Sequence, residues 1–186
     1  SWGIGNENKI KLIEEIHFPQ SLGLFYSTFT AFLGFEVNEG EWKVMGLSPY
    51  GKPLFAEKIA KTIRQLADGS FSLDFSYFSF HYSDKYSFSQ KLVDLLGDPI
   101  SPAQSHLVTK RSADIAASVQ KVMEDILLRL AINLREKTNL PNLCMAGGVA
   151  LNSVANYRIL KESGFKNIYV QPAAGDSGGA LGAVLY

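Results

Sequence analysis

One pattern repeats in the last third of the chain: a short apolar strand, a glycine turn, then small residues suited to open a helix. It reads Leu143-Cys144-Met145-Ala146-Gly147-Gly148-Val149-Ala150-Leu151-Asn152, and again Ile168-Tyr169-Val170-Gln171-Pro172-Ala173-Ala174-Gly175-Asp176-Ser177-Gly178-Gly179. Alternation of strand and helix restricts the chain to an α/β class, which we expect as a small mixed sheet packed with helices. Each turn brings unhindered backbone N–H groups to a helix N-terminus, where the peptide dipoles favour anions. Two such turns near one another make two walls of one phosphate or nucleotide pocket, and this is the main functional expectation.

The rest of the chain is read the same way. Lys9 to Phe18 alternates apolar and charged residues and predicts a half-buried strand ended by Pro19. Ser21 is placed to cap a helix running to about Phe35, with Leu22, Leu24, Phe25, Phe29 and Phe32 on its apolar face. Glu36 to Lys52 reads as a glycine-rich loop or broken helix. Pro53 opens a helix to about Ala67, and Asp68-Gly69 turns into a strand-like aromatic segment from Phe71 to Phe80. A short helix over Phe88 to Leu96 follows. The longest helix spans roughly His106 to Lys137, where Ile115, Val119, Val122, Met123, Ile126, Leu130 and Leu134 fall at three- and four-residue steps. Strand, helix, strand, helix then cover Leu143–Ala146, Val149–Ser163, Asn167–Gln171 and Ser177 to the end.

Composition excludes several functions. The 186 residues, 46% apolar, suffice for one core and one domain, residues 1–186. Zero net charge without a dense basic run argues against nucleic acid as a partner, since phosphate affinity needs clustered Lys and Arg. No stretch approaches the ~20 apolar residues of a membrane span, and the N-terminus does not resemble a signal peptide. A single Cys144 fits a reducing cytoplasm, and its apolar strand predicts a buried thiol. The chain begins on Ser1 without an initiator Met, as a fragment of a longer protein would.

For the site residues, the letters alone leave two uses open. Gly147-Gly148 serves either a plain strand-to-helix turn or close approach of a nucleotide, with Asn152 one turn further on offering an amide that donates and accepts. Asp176 serves either as a helix cap or as a hard oxygen ligand to a metal that bridges phosphates. Gly175-Asp176-Ser177-Gly178-Gly179 also spells the surroundings of a trypsin-like nucleophile. It runs on into what reads as a buried helix, and His17, His81 and His106 lie in no base motif, so that chemistry is rejected. Glu39, Glu41 and Lys43, framed by Gly40, Gly46 and Gly51, form a second-tier candidate catalytic set for a polar substrate.

Several runs resemble the O-carbamoyltransferase family, which includes nodulation-factor and antibiotic carbamoyltransferases. They are Phe18-Pro19-Gln20-Ser21-Leu22-Gly23-Leu24-Phe25-Tyr26, Phe32-Leu33-Gly34-Phe35, Lys43-Val44-Met45-Gly46-Leu47-Ser48-Pro49-Tyr50-Gly51, and the two C-terminal turns. The resemblance implies one lobe, the second, of an actin/Hsp70/sugar-kinase-like (ribonuclease H-like) ATPase fold. Family members make carbamoyl-adenylate from carbamoyl phosphate and ATP in a further domain. They then transfer the carbamoyl group to a hydroxyl of a sugar-like or natural-product acceptor and release AMP.

By that resemblance Gly147, Gly148, Val149, Asn152 and Gly175 line the nucleotide subsite. Asp176 ligates a divalent metal, Fe or Mn, near the phosphates. The family's metal-binding histidine pair, four residues apart, has no match here, nor does the first phosphate-binding strand pair or an adenylate-forming domain. The chain alone is therefore expected to lack activity and to need the missing lobe as its partner. A lobe on its own also exposes an apolar face on which two copies can pair as a homodimer. Two alternatives stay open: an ATP-dependent kinase or ATPase of the same superfold, and a non-catalytic nucleotide-binding lobe.

Overall fold

The structure, a computed structural model, describes residues 1–185. Its spine is a long helix over Lys110–Thr138. β1 (Trp2–Asn6) and β2 (Lys9–Glu14) form an antiparallel hairpin in which Asn6 pairs with Lys9 and Gly5 with Ile10. The expected strand is present, but its burial is not: β2 is exposed along its whole length, with Ile10 79% exposed. The hairpin pairs only with itself among the described strands, and alternation in sequence says which face is apolar without supplying a cover for it.

α1 (Leu22–Phe32) starts where Ser21 Oγ accepts the Leu24 N–H at 3.2 Å, and it buries Leu22, Phe25, Phe29 and Phe32. Gly34 follows at φ 79°, a conformation that glycine adopts without strain. The Glu36–Lys52 segment is a broken helix: α2 (Glu41–Leu47) passes into a 3-10 turn over Ser48–Tyr50. α3 is short (Ala56–Ile59) and ends in a second 3-10 turn over Ala60–Thr62.

The helix expected to reach Ala67 stops at that turn. The next residues form β3 (Ile63–Gln65), paired antiparallel with β4 (Phe71–Leu73) across Asp68-Gly69. Burying the β-branched Ile63 opposite Leu73 outweighs the weak helical pattern there. The aromatic segment is likewise a strand only to Leu73. Asp74 accepts the Ser76 N–H at 3.0 Å and turns the chain into a 3-10 helix over Phe75–Tyr77.

α4 (Gln90–Leu96) closes on Gly97, and α5 (Lys110–Thr138) runs 29 residues from a Thr109/Ser112 capping box to Asn139 in the left-handed conformation. Phe25 and Phe29 of α1, Val44 of α2, Ile59 of α3 and Ile159 are buried together with Ile115, Val119 and Met123 of α5 in one core. β5 (Asn142–Met145) and β6 (Asn167–Val170) pair in parallel, with α6 (Ser153–Glu162) between them in sequence. The helix expected from Val149 is interrupted: Gly148–Leu151 is a 3-10 turn, and Asn152 caps a separate α6.

α7 (Gly178–Leu185) forms as expected, although its reach to Tyr186 lies outside the described residues. It is not the buried helix that its composition suggests, since Leu181, Val184 and Leu185 are all exposed. Cys144 is exposed too, because alternation along β5 turns Leu143 and Met145 toward the helices and Cys144 to the opposite face with Tyr169. The α/β class therefore holds, as helices with small sheets. Among the described residues the single mixed sheet does not form: the strands make three separate two-stranded sheets, two antiparallel and one parallel.

Candidate functional site

Parallel register sets the geometry of the two glycine turns. Cys144 pairs with Tyr169 and Met145 with Val170, so β5 and β6 end side by side and both turns leave from one edge. The turns are then tied together directly, because the Gly147 N–H donates to the Ala174 carbonyl at 2.7 Å. Gly147 has φ 98°, where an L side chain is strained, so the turn itself requires glycine there.

Gly148 is different. Its φ is ordinary, and a Cβ built on it meets nothing within 4 Å. Neither backbone nor packing requires glycine at 148, so its bare surface leaves space for an approaching ligand. On the second turn, Gly178 is required by packing, since a Cβ would lie 2.2 Å from the Ala173 oxygen. Gly175 faces the first turn, with Leu151 Cδ1 3.9 Å from the place of its missing Cβ.

The remaining expected site residues divide by direction. Val149 packs its side chain toward α1, 3.7 Å from the Cβ position of Gly23, and so offers a ligand only its backbone. Asn152 is buried, and its Oδ1 accepts the Ala155 N–H at 3.0 Å as the cap of α6. Its amide also makes two hydrogen bonds of 3.0 Å with Gln120 on α5. Asp176 is exposed at the head of α7, where its carbonyl accepts the Gly179 N–H at 3.0 Å. No group of three or more His, Cys, Asp or Glu placed to hold a metal exists among the described residues. One exposed carboxylate does not make a coordination sphere, so these residues alone do not fit a metal.

The second-tier residues are held apart by their partners. Glu41 Oε1 accepts from Ser27 Oγ at 2.7 Å and from the Asn38 N–H at 3.1 Å, which fastens the start of α2 to α1. Glu39 is exposed in the preceding turn. Lys43 lies over the rings of Phe35 and Trp42, with Nζ 5.8 and 5.6 Å from their centroids. It lines a mostly apolar cleft of about 380 Å³ together with Leu33, Tyr50 and Leu107. α2 also touches the glycine-turn region, where Ser153 Oγ donates to Met45 Sδ at 3.8 Å.

Behind the turns lies a polar layer that sequence reasoning missed. Tyr26 donates to Gln120 Oε1 at 2.9 Å, and Gln120 Nε2 donates to Glu124 Oε1 at 2.9 Å. Burial, reinforced by the Glu41 and Glu124 carboxylates, pushes the Tyr26 phenol well above its usual range and keeps it a donor. Arg158 extends the layer with a 2.6 Å bond to Asp125. Burial pulls the Asp125 carboxyl upward, but hydrogen bonds from Arg158 and Lys121 outweigh it and leave that carboxyl below its ordinary range. One signal for the layer was in the sequence: Gln120 sits four residues after Ala116 and three before Met123, a polar residue in a buried stripe.

The carbamoyltransferase N-terminus family matches residues 1–185. An uncharacterized protein of Synechocystis sp. is 50% identical over 97% of this chain, and nodulation protein NolO of Bradyrhizobium diazoefficiens is 35% identical over 91%. The chain spans 29% of the length of each. The tRNA N6-adenosine threonylcarbamoyltransferase of Fervidobacterium nodosum is 42% identical over 59 residues, 32% of this chain. No helix among the described residues is long and apolar enough to cross a membrane. The match over residues 1–185 establishes that this chain belongs to the carbamoyltransferase N-terminus family.

Proposed function

We propose that this chain is the second lobe of the carbamoyl-transfer domain of an ATP-dependent O-carbamoyltransferase, and that its paired glycine turns hold the adenylate phosphate. The observation that carries this reading is the 2.7 Å bond from the Gly147 N–H to the Ala174 carbonyl, beside the bare face of Gly148. It joins two separate turns into one edge. Gly147, Gly148, Val149 and Gly175 face the nucleotide through their backbones, and Asn152 shapes the first turn from behind.

The chemistry follows from what leaves. A hydroxyl attacks the carbamoyl carbon of carbamoyl-adenylate, the bond from that carbon to the phosphate oxygen breaks, and AMP departs carrying the negative charge. The hydroxyl proton passes to a base. Fixed backbone N–H groups aimed at the phosphate stabilise charge that grows in the transition state, which lowers the barrier rather than merely tightening binding. Asp176 would contribute one carboxylate to a divalent Fe or Mn site completed by histidines of the rest of the protein. Glu41 is already engaged by Ser27 and Asn38, which leaves Glu39, exposed in the turn, and Lys43, on the cleft along α2, as the second-tier side chains to meet a polar acceptor.

In this reading the chain binds nucleotide and does not turn it over alone. The test is calorimetric titration of ATP and of AMP into the chain and into Gly148→Val. A Cβ at 148 meets nothing within 4 Å, so folding should survive while the ligand's approach is blocked. Binding lost in Gly148→Val supports the reading. Equal binding in both proteins, or none in either, overturns the assignment of the subsite to this chain. In the longer parent, AMP as product marks adenylate chemistry and ADP marks phosphoryl transfer.

A further inference from the structure

Of the buried polar layer behind the first turn only Asn152 enters the reading above, yet every polar group of the Gln120 side chain is matched. Gln120 lies on the inner side of α5, 3% exposed, and its amide makes four hydrogen bonds. Oε1 accepts from Tyr26 Oη at 2.9 Å and from Asn152 Nδ2 at 3.0 Å. Nε2 donates to Asn152 Oδ1 at 3.0 Å and to Glu124 Oε1 at 2.9 Å.

The polarity of this chain of bonds is fixed from both ends. A carboxylate only accepts, so Glu124 forces Nε2 of Gln120 toward itself. The Ala155 N–H only donates, so it claims Asn152 Oδ1 and turns Nδ2 toward Gln120. One orientation of each amide satisfies every partner. Asn152 is also where the first turn ends, since its N–H donates to Val149 O at 3.0 Å. Gly147 anchors the entry of that turn through Ala174, and Asn152, held by Gln120, anchors its exit.

We propose that Gln120 is a positioning residue for the first glycine turn: it touches no ligand, and through Asn152 it sets the direction of the Gly148 and Val149 backbone N–H groups. The consequence for nucleotide affinity rests on the function proposed above, whereas the positioning itself does not.

The test replaces amide with carboxylate. Gln120→Glu is nearly isosteric but presents oxygen to both Asn152 Oδ1 and Glu124. Adding Glu124→Gln restores a donor on the Glu124 side and leaves the mismatch with Asn152 in place. Three quantities are read on each protein: amide hydrogen exchange over residues 147–155, thermal unfolding, and ATP affinity by calorimetry. We expect exchange in the turn to rise about 10-fold in both variants, the effect of one net hydrogen bond lost, with ATP affinity falling by a similar factor. Much of the lost Tm should return in the double variant without recovery of exchange or affinity.

A purely structural Gln120 predicts the opposite, with exchange and affinity recovering in step with Tm. That result, or unchanged exchange at the turn in folded Gln120→Glu, overturns the proposal. If Gln120→Glu does not fold, Gln120→Met, which removes the amide without adding charge, is read by the same exchange measurement. If the wild-type chain binds no ATP, the nucleotide reading fails, and the exchange data still decide the role of Gln120.

Discussion

Gly51→Ala should be among the most damaging single-methyl changes in this chain, and its contrast with Gly46→Ala tests the packing directly. A Cβ built at Gly51 lies 2.0 Å from the Ala113 carbonyl oxygen, 2.2 Å from its carbon and 2.6 Å from the Asp114 nitrogen. All three are backbone atoms of α5, so no side chain can swing aside to make room. An ordinary carbon–oxygen contact needs more than an ångström of extra separation, and the Ser48–Tyr50 turn must lift off α5 to gain it. Two bonds depend on that approach: Lys52 N–H to Asp114 Oδ1 at 2.7 Å and Phe55 N–H to Ser118 Oγ at 2.9 Å.

Overpacking costs about 1–3 kcal/mol, and the Lys52 bond, which ends on a buried carboxylate, adds about 1–2 kcal/mol if it is lost. We therefore expect Gly51→Ala to lower stability by about 2–5 kcal/mol, a large share of the roughly 5–15 kcal/mol of an ordinary domain. Gly46, inside α2, has nothing within 4 Å of its Cβ position, and alanine there should gain about 0.5–1 kcal/mol from helix propensity. Equilibrium urea unfolding followed by far-UV circular dichroism measures both. A loss below about 1 kcal/mol for Gly51→Ala, or equal effects at the two positions, would refute the close approach of this turn to α5.

Three further outcomes are expected. Cys144, exposed on the open face of β5, should react with a thiol reagent at full stoichiometry in the folded protein, and protection until urea unfolds the chain would contradict that placement. Asp125 has its carboxyl held low by Arg158 and Lys121, so its contribution is present above the ordinary aspartate range and is lost as pH falls through the lowered value. Urea midpoints measured from pH 7 down to 3 should therefore drop less steeply in Asp125→Asn than in wild type. Glu41→Ala should cost about 1 kcal/mol by freeing Ser27 and the Asn38 N–H, and a neutral effect in urea unfolding would show that α2 is fastened to α1 by other contacts.

What the sequence told and withheld follows from the range of each signal. Local chemistry was legible: Ser21 caps α1, the glycine turns follow β5 and β6, and the step of three and four residues traced the core face of α5. Those features depend on neighbours a few residues away. Burial depends on what lies across space, and there periodicity misled. β2, Cys144 and α7 all carry the expected apolar pattern, and all are exposed. The helix predicted through Ala67 stops early because Ile63 pairs with Leu73 across the Asp68-Gly69 turn, a hairpin that helical periodicity does not show.

The candidate site divides along the same line. Gly147 and Gly148 stood out by composition, but the letters do not distinguish a glycine required by its backbone from one that packing leaves optional. The structure separates them, since Gly147 sits at φ 98° and Gly148 in an ordinary conformation with open space beside it. Asn152 shows the converse. The letters show an amide one turn past the glycines, and the structure shows that amide matched by Gln120 and by the Ala155 N–H. Its partner lies 32 residues away on another helix, beyond the reach of any motif. The glycines of the two turns are thus written in short local runs of letters, and the side chain that holds the exit of the first turn is written on α5.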